Sequence, residues 1–161
     1  MNSIRINIAR QSLELKDGSG KTLRSYAVST AKNGVGERNG SFCTPRGRHI
    51  VRAKIGRGVP ENTVFVARRP TGECYTAELG EQFPGRDWIL TRILWLSGVE
   101  EGKNKGGNVD SHERYIYIHG SPDDIEMGCP GSRGCVRMRN GDVIELFDLV
   151  YVGTKVLIND N

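Results

Sequence analysis

The sequence predicts a mainly β fold, a β-sandwich or barrel-like arrangement of short strands with one amphipathic helix near the C-terminus. Short runs of β-branched and aromatic residues recur along the chain, as in Tyr115 to Ile118, and such residues favour strands. Glycine and proline clusters such as Gly56 to Pro60 separate these runs, which is typical of an all-β domain. An apolar repeat with helical spacing occurs in residues 140–150. A chain of 161 residues can bury its own core, so a single domain, residues 1–161, is predicted.

The N-terminal part is predicted to form a hairpin followed by separate strands. Apolar and polar residues alternate from Ile4 to Ile8, and Leu13 and Leu15 continue this alternation. Asp17 to Gly20 is predicted to supply a turn, and Thr22 to Ser29 to form the returning strand. Three further strands are predicted at His49 to Ile55, Thr63 to Ala67 and Trp88 to Leu96. The residues Arg68 to Gly72 are predicted to form a turn after the second of these.

The C-terminal part begins with the longest polar stretch, Ser97 to Arg114. A loop of this length within a domain is often functional, so we expect it to border or cover an active site. Further on, Asn140 is predicted to cap the helix, and Lys155 to Ile158 to form the last strand. The apolar residues of the helix recur at the spacing of one helical face: Val143, Leu146, Phe147 and Val150.

The stretch from Tyr115 to Met138 carries the residues best suited to chemistry. His119 lies where a strand gives way to a turn-rich loop, and Cys135 follows Gly134 at the end of that loop. A nearby imidazole can activate a cysteine thiol and later protonate a leaving amine. Gly134 permits a sharp turn in which consecutive N–H groups point at one oxyanion. On spacing alone the alternative stays open, because free cysteines are usually buried apolar residues and a histidine at a strand end is often structural.

Two segments of this stretch, His119 to Ser121 and Ser132 to Met138, resemble the signature of the L,D-transpeptidase catalytic domain (YkuD type), a family of cell-wall cysteine enzymes. The resemblance covers nearly the whole chain. It extends to four other segments, namely Ser29 to Gly34, Thr44 to Gly47, Arg92 to Leu96 and Asp142 to Ile158.

The resemblance implies catalytic roles within the motif. Cys135 is expected to be the nucleophile and His119 its base, with the carbonyl of Gly120 orienting the imidazole. The backbone N–H groups of Arg133, Gly134 and Cys135 are expected to form the oxyanion hole.

The resemblance also implies a set of substrate-binding residues: Ser132, Tyr117, Arg133 and Arg137. Many relatives carry histidine where this chain has Arg133, and an arginine there can bind a carboxylate more strongly. For Arg137 two readings stay open. It either binds a substrate carboxylate or braces the site, or it belongs to a surface ion pair.

The charge of the chain, +4 with a pI near 9.0, narrows the class of partner. A basic surface can bind nucleic acid, but neither a recognition helix nor an aromatic stacking motif is evident, so no nucleic-acid partner is expected. An anionic peptide substrate explains the charge equally well. No stretch approaches the roughly 20 apolar residues of a membrane span, so no membrane partner is expected.

The cysteines and histidines give no indication of a metal or another cofactor. The four cysteines, Cys43, Cys74, Cys129 and Cys135, have no C-x-x-C spacing. A zinc site built from Cys129, Cys135, His112 and His119 is the weaker alternative, because structural zinc ligands usually occur in close pairs. His49 and His112 are predicted to be surface residues.

The resemblance implies that the substrate is a peptidoglycan stem tetrapeptide (muropeptide). The thiol of Cys135 would attack the carbonyl at the L-centre of the third residue, typically meso-diaminopimelate, and release the terminal D-alanine. Carbapenem-type inhibitors are expected to acylate the same thiol.

The cellular compartment expected for the protein indicates which molecule accepts the acyl group. The first residues do not look like a signal peptide, which predicts a cytoplasmic protein. There, an L,D-carboxypeptidase that trims tetrapeptides in muropeptide recycling is expected. The alternatives are an L,D-transpeptidase that forms 3-3 crosslinks or exchanges D-amino acids, and an inactive muropeptide-binding module.

Overall fold

One curled, ten-stranded sheet forms the fold in the computed structural model, which describes all 161 residues. The strands, in chain order, are β1 (Ser3–Asn7), β2 (Ser12–Lys16), β3 (Thr22–Ala27), β4 (Gly47–Ile55), β5 (Thr63–Val66), β6 (Arg69–Cys74), β7 (Ile89–Gly98), β8 (Tyr117–Gly120), β9 (Val136–Met138) and β10 (Lys155–Asn159). Two helices, α1 (Ala77–Gln82) and α2 (Asn140–Leu149), accompany a short 3-10 turn at Gly107–Val109. Neither helix has the length and hydrophobicity that crossing a bilayer requires.

The order across the sheet is β3-β2-β1-β10-β4-β7-β5-β6, and β8 joins β7 to β9. Neighbouring strands are antiparallel except for the parallel pairs β1–β10 and β8–β9. The sheet curls into a half-barrel with α2 as its main helix, which confirms the predicted mainly β, barrel-like class.

The core lies between α2 and one face of the curled sheet. The alternation in β1 and β2 places apolar side chains on this face, and Leu13 and Leu15 are fully buried. The predicted apolar face of α2 meets them, with Leu146 and Phe147 in the same buried cluster. Each fully buried side chain of this size contributes about 1.5–3 kcal/mol. The core therefore supports β8 and β9 from behind.

The region after β5 differs from the prediction. The turn is formed by Ala67 and Arg68, with φ of 49° and 65°, and β6 begins directly afterwards. Two residues with positive φ suit a two-residue hairpin loop. Pro70 and Gly72 indicated a turn at Arg68 to Gly72, but Pro70 is tolerated in β6 because β6 is an edge strand.

The helices differ from the prediction in two details. Helix α1 was not predicted, because it has six residues and buries none of them. Asn140 does not cap α2, because it is the first residue of the helix and Arg139 occupies the N-cap without a side-chain hydrogen bond. The amide oxygen of Asn140 instead accepts from the Thr91 hydroxyl at 2.7 Å, and its Nδ2 donates to Asn62 Oδ1 at 2.9 Å.

His49 is buried, so its prediction as a surface residue is wrong. Its Nε2 lies 2.8 Å from the hydroxyl of Ser111, and its Nδ1 lies 3.0 Å from the carbonyl oxygen of Gly47. Burial lowers the pKa of His49 to about 4. The ring therefore joins β4 to the long loop as a neutral group, and its partner Ser111 is too distant in sequence for a local pattern to show it.

Candidate active site

The parallel pair β8 and β9 brings His119 and Cys135 to the same face of the sheet. Ile118 pairs with Val136 and His119 pairs with Arg137. Side chains alternate along a strand, and those of Ile118 and Val136 point into the core. His119 and the residue before β9, Cys135, therefore lie on the opposite face, at diagonal positions. The register of these two short strands thus brings together the histidine and the cysteine that the sequence motif places far apart along a loop.

The His119 ring is buried and held in one orientation by its neighbour. Its Nδ1 lies 2.6 Å from the carbonyl oxygen of Gly120. Since a carbonyl only accepts, Nδ1 carries the proton and Nε2 keeps a free lone pair. Burial lowers the pKa of His119, and the carboxylate of Asp87 opposes this shift. His119 is therefore a neutral imidazole with one basic nitrogen available.

The Cys135 thiol is half-buried and belongs to the wall of a pocket. Its Sγ accepts from the backbone N–H of Tyr117 and donates to the carbonyl of Tyr115, each at 3.3 Å. Burial raises the pKa of the thiol to about 12, although the N–H of Tyr117 lowers it. Because the thiol proton is directed at Tyr115, no hydrogen bond joins Cys135 to His119. The resting pair is a neutral thiol beside a neutral imidazole, and the thiolate forms only when a base removes the proton.

The hydroxyl groups of Ser132 and Thr44 fix the loop before Cys135. Ser132 Oγ donates to the carbonyl of Cys135 at 2.5 Å and accepts from the N–H of Gly134 at 3.2 Å. The hydroxyl of Thr44 donates to the Gly134 carbonyl at 2.9 Å. Gly134 has a φ of 132°, which other residues rarely adopt.

Of the three backbone N–H groups predicted for the oxyanion hole, one is already engaged within the protein. The N–H of Gly134 is engaged by Ser132, whereas those of Arg133 and Cys135 form no hydrogen bond within the protein. Two converging backbone N–H groups are the usual arrangement for stabilising a tetrahedral oxyanion. Ser132, predicted to contact substrate, is buried: its hydroxyl is engaged within this loop, and its backbone pairs with Thr30 and Lys32.

The pocket beside Cys135 has a volume of about 620 Å³ and a mixed wall. Of the predicted substrate-binding residues, Tyr117 and Arg133 line it. Arg137 does not, because it donates to Asp87 Oδ1 at 3.3 Å and to the Gly131 carbonyl at 3.1 Å. The contact with Asp87 is an ion pair and the contact with Gly131 fixes the adjoining loop, so these contacts fit both the bracing role and the ion-pair reading of Arg137.

Three charged residues of the pocket wall were not predicted, namely Arg68, Asp87 and Arg114. Arg114 donates to the carbonyls of Cys43 and Glu37 at 2.7 and 3.1 Å, and so fastens the segment that carries the pocket residue Phe42. Arg68 and Asp87 are distant in sequence from the motif, and Arg114, which directly precedes Tyr115, belongs to no pattern that indicated a pocket position.

The long loop borders the pocket only through its last residue, Arg114. The rest of the loop packs elsewhere. The amide of Asn104 donates to the carbonyls of Arg46 and Arg48 at 3.0 and 3.1 Å, which fixes the loop on β4.

The remaining cysteines and histidines do not gather into a site. No group of three or more His, Cys, Asp or Glu side chains could hold a metal ion, so the zinc alternative finds no cluster. All four cysteines are free. The ring of His112 stacks on that of Trp95 with centroids 4.1 Å apart.

Comparison with known proteins gives a consistent match. The profile of the L,D-transpeptidase catalytic domain family (YkuD) matches residues 1–158. The probable L,D-transpeptidase ErfK/SrfK of Salmonella typhimurium is 47% identical over 106 residues, which cover 58% of this chain and 34% of that protein. Less than two thirds of the length of this relative is therefore spanned.

Solved structures show the same fold at low sequence identity. An L,D-transpeptidase from Mycobacterium smegmatis superposes with a TM-score of 0.57 at 17% identity, covering 98% of this chain and 58% of its own. The L,D-transpeptidase LdtMt1, solved in complex with imipenem, gives a TM-score of 0.59 at 17% identity, with the same coverage of 98% and 58%.

Proposed function

Because the chain belongs to the L,D-transpeptidase catalytic domain family, we propose that it is a cysteine acyl transferase acting on peptidoglycan peptides. One observation carries the proposal: the thiol of Cys135 lies on the pocket wall, on the same sheet face as a buried His119 that Gly120 holds with Nε2 free.

The geometry supports a two-step acylation. Nε2 of His119 takes the thiol proton as Sγ of Cys135 attacks the carbonyl of the third stem residue. The N–H groups of Arg133 and Cys135 stabilise the resulting oxyanion. The imidazolium then protonates the amine of the departing D-alanine, and a thioester remains on Cys135. His119 is neutral again and ready to activate an acceptor.

We propose water as that acceptor, which makes the protein an L,D-carboxypeptidase. It would remove the terminal D-alanine from tetrapeptides in cytoplasmic muropeptide recycling. The resemblance to small family members of this kind supports the proposal. The regenerated neutral imidazole of His119 is compatible with it, since such a base can deprotonate a water molecule as it deprotonated the thiol.

A second candidate is transfer to an amine. The relatives are named L,D-transpeptidases, and an amine acceptor would give 3-3 crosslinks or exchange of D-amino acids. The first half-reaction is the same, so only the products separate the two candidates. An inactive muropeptide-binding module is disfavoured because Cys135 and His119 are both intact.

The test is product analysis by mass spectrometry. The protein is incubated with a disaccharide-tetrapeptide containing meso-diaminopimelate, with and without D-methionine. We expect tripeptide as the only product in both samples and none with Cys135→Ala. Dimers or a D-methionine adduct would identify an amine acceptor instead. No product in either sample would overturn the enzymatic assignment.

A further inference from the structure

Arg68 occupies a strained position at the edge of the reaction pocket. It is the second residue of the β5–β6 turn and has a φ of 65°, a conformation that residues other than glycine rarely adopt. Its side chain lines the same pocket as Cys135. The two-residue turn that requires this φ therefore also fixes where the Arg68 side chain leaves the backbone.

The guanidinium of Arg68 is held in place by three aromatic rings. It stacks 4.6 Å from the ring centroid of Tyr115 and 4.8 Å from that of Trp95. Its Nη1 donates to the hydroxyl of Tyr117 at 3.0 Å. Tyr115 and Tyr117 are the residues whose backbone groups hold the sulfur of Cys135. The cation is therefore oriented on the wall that carries the nucleophile.

The charge of Arg68 is not neutralised by the protein. It has no carboxylate partner, and one of its N–H donors forms a hydrogen bond. The other two pocket arginines also have no carboxylate partner, but the donors of Arg114 are taken up by backbone carbonyls, and Arg133 lies exposed with Nη2 on the carbonyl of Gly85 and no aromatic ring against it. The single acidic side chain of the wall, Asp87, is paired with Arg137. An oriented guanidinium with free donors in a net cationic pocket matches a carboxylate ligand.

We propose that Arg68 binds a carboxylate of the stem peptide and thereby sets the preference of the pocket for acidic substrates. The inference rests on the proposed function for the identity of its ligand. Two carboxylates have the required chemistry, that of the departing D-alanine and that on the side chain of meso-diaminopimelate. Arg68 is thus a specificity-determining residue, distinct from the pair that performs the chemistry.

The test measures binding in the absence of turnover. Isothermal titration uses the Cys135→Ala protein, with and without Arg68→Met, and three tetrapeptides: the free acid, its C-terminal amide, and an analogue with L-lysine as third residue. Arg68→Met is expected to weaken binding of the free acid about 10- to 100-fold, because a charge-assisted hydrogen bond is lost. Methionine keeps an apolar stem against the rings.

Two control variants separate charge from structure. Arg69→Met removes the same charge from the adjacent exposed residue, and binding should stay within about twofold. Arg68→Lys keeps the charge without the planar fork and should give an intermediate loss. Circular dichroism checks that each variant is folded.

The three ligands identify the carboxylate. If Arg68→Met has no effect on the amide, Arg68 binds the carboxylate of D-alanine; if it has none on the lysine analogue, Arg68 binds that of meso-diaminopimelate. An equal loss for all three peptides, or no loss for the free acid, would overturn the proposal while leaving the function intact. Failure of the Cys135→Ala protein with Arg68 intact to bind any of the three would overturn both.

Discussion

At the scale of single residues, the protonation state of the Cys135 thiol depends on which acceptor its proton faces. The thiol donates to the Tyr115 carbonyl, and burial holds its pKa near 12. His119 is neutral because burial lowers its pKa. A preformed thiolate–imidazolium pair would therefore be a minor species. The proposed mechanism therefore requires that substrate binding turn the thiol toward Nε2 of His119.

This leads to a prediction for alkylation of Cys135 without substrate. Iodoacetamide reacts with thiolates, so its rate at Cys135 should rise about tenfold per pH unit from pH 7 to pH 10 without a plateau. Peptide mapping by mass spectrometry measures the rate at this residue, and N-acetylcysteine serves as an ordinary thiol with a pKa of about 8.5. A plateau below about pH 8 would show a preformed ion pair and contradict the assignment of a neutral thiol.

The sequence predicted these two candidate residues but not the side chains that surround them. His119 and Cys135 were found because one short motif contains both. Arg68 reaches the site from a hairpin 49 positions before its hydrogen-bond partner Tyr117, and Thr44 from 90 positions before Gly134. Contacts of such separation leave no periodic or local signal, so their prediction requires the fold.

At the scale of elements, the loop before Cys135 is positioned by the segment around Thr44, which lies 90 residues earlier in the chain than Gly134. Thr44 is fully buried, and its hydroxyl donates to the Gly134 carbonyl while accepting from the N–H of Ala31, both at 2.9 Å. One hydroxyl thus satisfies two backbone groups. The orientation of the oxyanion donors depends on this contact.

Thr44→Val tests this dependence with almost no change in volume. It should lower the free energy of unfolding by about 1–3 kcal/mol, since two buried backbone groups lose their partner. It should also reduce turnover by about tenfold or more, because the donors shift relative to the oxyanion. Urea unfolding and kcat measure the two effects. Thr71→Val, at an exposed site on β6, is the control; an equal effect from it would refute the assigned role.

A strand or helix was predictable from the sequence where its pattern of apolar residues extends over several positions. Alternation identified β1 and β2, and the apolar spacing identified α2, because each buries one face against the core. The edge strand β6 and the short helix α1 bury almost nothing, so their sequences carry turn-forming residues and no periodicity. The same reasoning explains why Asn140, a plausible cap by type, is used instead in a buried hydrogen bond to Thr91.

At the scale of the whole molecule, buried histidines couple folding to pH. His49 has a pKa of about 4 in the folded protein against 6.5 for an ordinary histidine. Between these values the unfolded chain binds more protons than the folded one. The free energy of unfolding therefore falls as the pH drops from about 6.5 to about 4, by up to about 1.4 kcal/mol per unit.

Thermal unfolding between pH 7 and pH 4 tests this coupling. His49→Gln should lower stability at pH 7, because its contact with Ser111 is altered, but should show a shallower decline toward pH 4. Some decline will remain because His119 is also buried. Parallel curves for the parent protein and His49→Gln would contradict the account.

The whole molecule is a scaffold that presents one thiol to one pocket, and this central claim has a direct test. Intact-protein mass spectrometry after incubation with imipenem should show a single covalent adduct, located by peptide mapping on Cys135. The adduct should be absent from Cys135→Ala and unchanged in Cys74→Ala, which removes an exposed cysteine. An adduct that persists in Cys135→Ala, or that maps to another residue, would contradict the identification of Cys135 as the nucleophile.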